Sequence, residues 1–212
     1  GGEISLAAKE KRRFIGYEGA VAGGIPIIKL IREGLVANKV TRLEGIINGT
    51  CNYVLTGMQK RQVSFEEILK EAQKLGFAEA DPSFDIDGID AAQKLAIIAS
   101  LLFGIPIDFE RIYTDGISNI ELDDLNYAEK LGYQIKHLAI ASRSSSGFEL
   151  RVHPTLVAHN HMLAAVDREM NAVLLKADLL GSLLISGAGA GAGPTASSVL
   201  SDVADCIRAS GN

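Results

Sequence analysis

Residues 75–103 read LGFAEADPSFDIDGIDAAQKLAIIASLLF. In the second half, Ile89, Ala91, Ala92, Leu95, Ala96, Ile97, Ile98, Leu101, Leu102 and Phe103 predict a helix that is apolar nearly all round, stopped by Gly104. Such a helix is buried. Its first turns nevertheless carry Asp90 and Lys94, four residues apart and on one face. The loop before it crowds Glu79, Asp81, Asp85 and Asp87 into nine residues. A charged pair at the end of a buried helix lies where a core meets a cleft or a partner. Two readings follow. One is a surface ion pair worth a few tenths of a kcal/mol. The other is a pocket whose carboxylates take a substrate ammonium while the lysine transfers a proton. A calcium loop is excluded: with Gly88 at loop position six, position one is Ser83, and Lys94 falls where a bidentate glutamate is required.

Upstream, Ser64 and Glu67 form a capping-box pattern. Phe65, Ile68, Leu69, Ala72 and Leu75 recur at helical spacing, with Gly76 as the stop, so a helix is expected over 64–75. Further helices are expected at 3–10, 27–33, from Asp123 to Leu131, and from Pro194 to Arg208. Strands are expected at 13–17, 40–47, 133–141, 148–153, 172–177 and 183–186, with Asn48-Gly49-Thr50 as the turn leaving the second of them. Helices early and strands late predict an α+β fold, one mixed sheet covered by helices on one face.

Two glycine-rich segments stand out. GAGAGAGPT (187–195) lies between a strand and a helix, where bare backbone can approach a phosphate. It lacks the Lys-Ser/Thr ending of a P-loop, and a flexible linker has the same composition. Glu18 to Ile25 is a second such turn, whose carbonyls could face a cation or simply close a tight bend. The four histidines show no metal-ligand spacing and read as structural or surface residues.

Composition removes several classes. The 212 residues are 47% hydrophobic and 22% charged, ordinary for a globular chain. A net charge of −5 argues against nucleic acid or an anionic membrane as partner. No apolar run reaches the ~18 residues of a membrane span. The first residues have no basic or apolar leader pattern, so a cytoplasmic location is expected, and Cys51 and Cys206 read as free thiols in a reducing compartment.

Taken together, YEGAVAGGIPIIK (17–29), GIINGTCNYVL (45–55), LGFAEADPSFDIDGIDAAQKLAI (75–97), LRVHPTLV (150–157) and GAGAGAGPTAS (187–197) resemble homoserine dehydrogenase in order and spacing. The resemblance implies a fold similar to the C-terminal domain of glyceraldehyde-3-phosphate dehydrogenase. It also implies NAD- or NADP-dependent interconversion of L-homoserine and L-aspartate 4-semialdehyde, in threonine, methionine and isoleucine biosynthesis. Carried over by residue, Glu79, Asp85, Asp90 and Thr50 would bind substrate, and Lys94 would donate the proton. Gly76 and Gly191 would touch the cofactor, and the backbone at Glu18, Val21, Gly23 and Ile25 would hold sodium.

The family's Rossmann fingerprint and its alanine-asparagine-lysine segment are not found in this sequence. Residues 1–17 are therefore expected to be a remnant of the nucleotide-binding domain, and 18–190 the substrate-binding and dimerisation domain. Residues 191–212 would be a helix that packs on the nucleotide-binding domain. A homodimer is expected, with little activity from this stretch alone. The alternative is a non-catalytic amino-acid-binding or dimerisation module on the same fold. A semialdehyde dehydrogenase with a cysteine nucleophile is disfavoured, because Cys51 is followed by Asn52 and Tyr53 with no matching histidine signature.

Overall fold

The computed structural model describes residues 2–11 and 13–210, so residues 1, 12, 211 and 212 of the two terminal segments lie outside the described residues. In chain order the elements are α1 (Gly2–Glu10), α2 (Ile27–Lys29), β1 (Val40–Ile46), α3 (Gly49–Arg61), α4 (Phe65–Lys74), α5 (Ser83–Ile86) and α6 (Ile89–Phe103). There follow β2 (Tyr113–Thr114), α7 (Leu122–Lys130), β3 (Tyr133–Ser144), β4 (Gly147–Ala158), β5 (Met170–Ala177), β6 (Gly181–Ala188) and α8 (Ala192–Ser210).

The six strands form one sheet in the order β2-β4-β3-β1-β5-β6. It is mixed: β2 runs parallel to β4, and every other pairing is antiparallel. The period-two alternation of the strands divides its faces. Leu43, Ala139, Ala141, Val152, Val173 and Leu175 point to one face, where Leu95 and Ile98 of α6 complete the main core. On the other face Ile46, Leu138, Ile140 and Val157 are covered by Leu163, Ala164 and Val166 from the loop after β4. A separate cluster joins α3, α4 and α7 through Leu55, Met58, Ile68 and Leu125. The α+β architecture with helices on one sheet face is thus the one the sequence predicts.

Two expectations are corrected and one is refined. Residues 13–17 are not a strand: among the described residues no strand pairs with them, and an extended segment without a ladder is only a connection. Gly16 lies instead against α8, where a Cβ would meet the Asp202 side chain at 2.5 Å. Asn48-Gly49-Thr50 is not a turn but the start of α3, because the Asn48 side chain accepts from Cys51 N at 2.9 Å and caps the helix. The helix expected at 27–33 forms, as the single α-turn of α2 (Ile27–Lys29) continued by a π-helical turn (Leu30–Gly34) closed by Leu35 N donating to Leu30 O. That bond passes over the usual four-residue repeat.

The loop after β4 is pinned from two sides. Lys136 on β3 donates to Val166 O at 2.6 Å and to Asp167 at 3.1 Å, while Lys60 pairs with the same carboxylate. Burial pushes the Lys136 ammonium below its ordinary range, against the pull of Asp167. From α3, Asn52 donates to Val166 O and Met170 O.

The two glycine-rich segments meet backbone to backbone. Gly24 N donates to Ala188 O at 3.0 Å, and Ser198 Oγ donates to Gly23 O at 2.7 Å. A Cβ on Gly23, whose φ is +54°, would lie 2.2 Å from Gly189 O. Lys29 paired with Asp205, and Glu18 N bonded to Asp202, extend this joint along α8.

Gly23→Ala is expected to lower stability by about 2 kcal/mol or more, since it adds a left-handed alanine to a contact with no room for a methyl group. The midpoint of chemical denaturation checks this. A second expectation concerns His137, whose Nε2 faces Asp115 O at 3.0 Å. Burial holds its pKa below the usual 6.5. The unfolded chain therefore binds more protons in the interval below pH 6.5, and stability falls as pH drops through it. His137→Gln is expected to flatten that slope, read as melting temperature against pH.

Candidate active site

The site forms where β1 ends and α6 begins. Ile47 leaves the strand, Asn48 caps α3, and Thr50 lies in the first turn of α3. Asp85 sits on the short α5, and Asp90 and Lys94 occupy the first turns of α6. The Lys94 ammonium donates to Asp90 Oδ2 at 2.7 Å and to Ile47 O at 3.2 Å. An ammonium has three N–H groups, so one is left for a further acceptor. The two side chains are only 22% and 19% exposed, which distinguishes the pair from a solvated surface bridge.

Asn48 joins this pair to Asp85. Its Nδ2 donates to Asp85 Oδ1 at 2.8 Å and to Asp90 Oδ2 at 2.9 Å, while its Oδ1 is taken by the α3 cap. Thr50 Oγ1 lies 2.8 Å from Phe77 O and 3.0 Å from Asp85 Oδ2, with one proton to give between them. Beneath, the Cys51 thiol donates to Asp85 O at 3.2 Å. Burial, reinforced by the carboxylates of Asp85 and Asp90, pushes that thiol well above its ordinary range. It stays protonated and acts as a donor, not a nucleophile.

Of the residues singled out in the sequence, the structure brings Thr50, Asp85, Asp90 and Lys94 together. Glu79 is different: it is exposed, and among the described residues its carboxylate joins no hydrogen bond, while its backbone oxygen accepts from Gln73. Asp81 turns back onto Ser83, which lowers its pKa, and Asp87 faces Ser118 at 3.4 Å. Asn48 and Cys51 are site residues that sequence reasoning missed. The N-cap pattern at Asn48 was a usable signal for the first.

Gly76 follows α4 at φ +76° with nothing within 4 Å of a Cβ position, and Gly191 precedes α8 at φ +112° with only the Pro194 ring nearby, at 3.5 Å. Gly76 thus presents bare backbone to open space, and Gly191 does so on the side away from Pro194. In the turn at 18–25, the Glu18 carboxylate is buried and accepts from Ile28 N and Lys29 N, each at 2.8 Å. Burial raises its pKa against the pull of those two bonds. Gly23 O accepts from Ser198, and Ile25 O from Ile27 N. Among the described residues no group of three or more His, Cys, Asp or Glu could hold a metal.

Cavities of about 490 Å³, beside Tyr113, Arg151 and His153, and about 340 Å³, beside Lys60, Lys136 and Asp167, lie elsewhere. The cluster around Lys94 lines neither cavity and is partly exposed. It offers carboxylate oxygens for a cation and an ammonium proton for a developing oxyanion. No helix among the described residues is long and apolar enough to cross a membrane.

Residues 26–204 match the model of the homoserine dehydrogenase family. The homoserine dehydrogenase of Pseudomonas aeruginosa is 56% identical over 209 residues, which is 99% of this chain and 48% of that relative. The crystal structure of a homoserine dehydrogenase from Thiobacillus denitrificans aligns with a TM-score of 0.96 at 56% identity, over 98% of this chain and 48% of its own. A hyperthermophilic archaeal homoserine dehydrogenase in complex with NADPH aligns with a TM-score of 0.82 at 28% identity, over 97% of this chain and 59% of its own. The chain spans about half the length of the curated relatives it matches. Its sequence, its sheet topology and its near-complete superposition on solved members agree, and the chain belongs to the homoserine dehydrogenase family.

Proposed function

We propose that this chain is the substrate-binding part of an NAD- or NADP-dependent homoserine dehydrogenase, and that Lys94 is its proton donor. The observation that carries the reading is the Lys94 ammonium, held by Asp90 and Ile47 O with one N–H left over, beside the Asp85 carboxylate. Reduction of an aldehyde places negative charge on its oxygen as hydride arrives, and an ammonium aimed there stabilises the charge and supplies the proton. In the direction of alcohol oxidation the same lysine takes the proton back. The α-ammonium of homoserine lies against Asp85 and Asp90, with Glu79 closing over it from its exposed loop and Thr50 steadying Asp85.

The bound nicotinamide supplies the hydride. Gly76 and Gly191 fit its approach because neither carries a Cβ, Gly76 faces open space, and Gly191 has only the Pro194 ring beside it. They are this chain's contacts to it. The NADPH of the archaeal relative supports such a cofactor here. Residues 1–17 and the helix at 191–212 pack with a nucleotide-binding domain, residues 18–190 form the substrate-binding and dimerisation domain, and two copies associate through the latter. In support, Val199, Leu200, Val203 and Ile207 leave an exposed apolar stripe on α8. The carbonyl oxygens of Glu18, Val21, Gly23 and Ile25 hold a sodium ion, since the two already bonded keep a second lone pair each. The enzyme works in the cytoplasm, in threonine, methionine and isoleucine biosynthesis, and this stretch alone has little dehydrogenase activity.

The test is homoserine-dependent NAD(P)H formation by the full-length protein. Lys94→Met is expected to lower kcat by about 10²–10⁴-fold, the usual contribution of a positioned acid–base group. Asp90→Asn is expected to raise KM for L-homoserine while leaving the cofactor KM within about twofold. A Lys94→Met enzyme that keeps its kcat within about twofold refutes the assignment.

A further inference from the structure

We infer that Asn48 is a positioning residue for the substrate-binding carboxylates, a bridge that holds Asp85 and Asp90 together and aims Asp90 at Lys94. The inference rests on the functional reading above. Asp85 and Asp90 come from different helices and carry like charges, so without a donor between them they would separate. Asn48 Nδ2 has two N–H groups, and the geometry gives one to each, at 2.8 Å to Asp85 Oδ1 and 2.9 Å to Asp90 Oδ2. Its third polar function, Oδ1, accepts from Cys51 N at 2.9 Å.

That last bond decides which end of the amide is which. The oxygen must face the Cys51 N–H, so the nitrogen must face the carboxylates. Both N–H groups and the carbonyl oxygen of the side chain are engaged, and the residue is 5% exposed. Asp90 Oδ2 receives both Asn48 and Lys94, which leaves Oδ1 of Asp90 to meet a substrate. Other groups around the pair are Asp87 on the turn into α6, Cys51 and Thr50 on α3, and His137 on β3, whose Nε2 would lie 3.2 Å from a Cβ on Gly88. None of these has two donors that could replace the amide.

The capping role and the bridging role can be separated. Ser and Asp cap a helix about as well as Asn. Asn48→Ser keeps a cap but has one proton and a shorter reach. Asn48→Asp keeps a cap and the shape of the side chain, but removes both N–H groups and adds a third negative charge. In the full-length protein, Asn48→Ser is expected to melt within a few degrees of the parent, whereas Asn48→Asp, whose buried carboxylate faces two others, melts lower. Both should raise KM for L-homoserine, Asn48→Asp by about tenfold or more and Asn48→Ser by less, with the cofactor KM unchanged.

Homoserine KM values within about twofold of the parent in both variants would overturn the bridge. So would losses of kcat at unchanged KM that match the fraction of folded enzyme lost. Parent enzyme and Lys94→Met are run alongside. A parent with no homoserine-dependent activity refutes the functional reading and this inference with it. An active parent, silenced by Lys94→Met but indifferent to both Asn48 variants, refutes the bridge alone.

Discussion

A helix that is apolar on nearly every side has to be enclosed, and the enclosure of α6 sets the plan of this molecule. Ala91, Ala92, Leu95, Ala96, Ile98 and Ala99 are buried, and the sheet supplies Leu43, Ala139, Ala141, Val152, Val173 and Leu175 to meet them. Burying each large aliphatic side chain contributes about 1.5–3 kcal/mol, far more than the ion pair at the helix start could. The core therefore dictates where Asp90 and Lys94 stand, and not the reverse. Their position at the end of β1 brings the Ile47 carbonyl and the cap of α3 within reach. Chemistry is located by packing, then adjusted by a handful of polar contacts.

The parts legible in the sequence are those whose signal is local. The α4 helix announces itself by a Ser64 cap and by Phe65, Ile68, Leu69 and Ala72, and α6 by its unbroken apolar surface. The Asp90–Lys94 pair follows from helical spacing alone. The α3 helix is harder to read, because Gly49, Thr50, Cys51, Asn52, Tyr53 and Val54 are all weak helix formers. Tertiary packing of Cys51, Val54, Leu55 and Met58 overrides that preference. Asn48-Gly49 reads as a turn for the same reason that it starts a helix: the asparagine side chain satisfies a nearby backbone N–H in either case. Its two carboxylate partners lie 37 and 42 residues downstream, and no short window could connect them. Residues 13–17 fail in the opposite sense, since a stretch can be extended without finding a ladder.

The far face of the sheet is organised by a different device. Lys136 is nearly enclosed, yet its ammonium is satisfied by Val166 O and by Asp167, which Lys60 also holds. A buried ion pair of this kind adds little net stability, because desolvation offsets most of the attraction. It does fix the path of a long loop over apolar strands, where exposed backbone would otherwise go unpaired.

The apposition of Gly23 with Gly189 carries a consequence for how the chain assembles. Its two halves are separated by most of the sequence, and at the contact itself neither has a side chain. Closing so long a loop requires loss of chain entropy before any local reward arrives. Strand β6 must already be in register beside β5 for Ala188 O to be presented to Gly24 N. The turn at 18–25 and the start of α8 are thus held to the end of β6 by one joint.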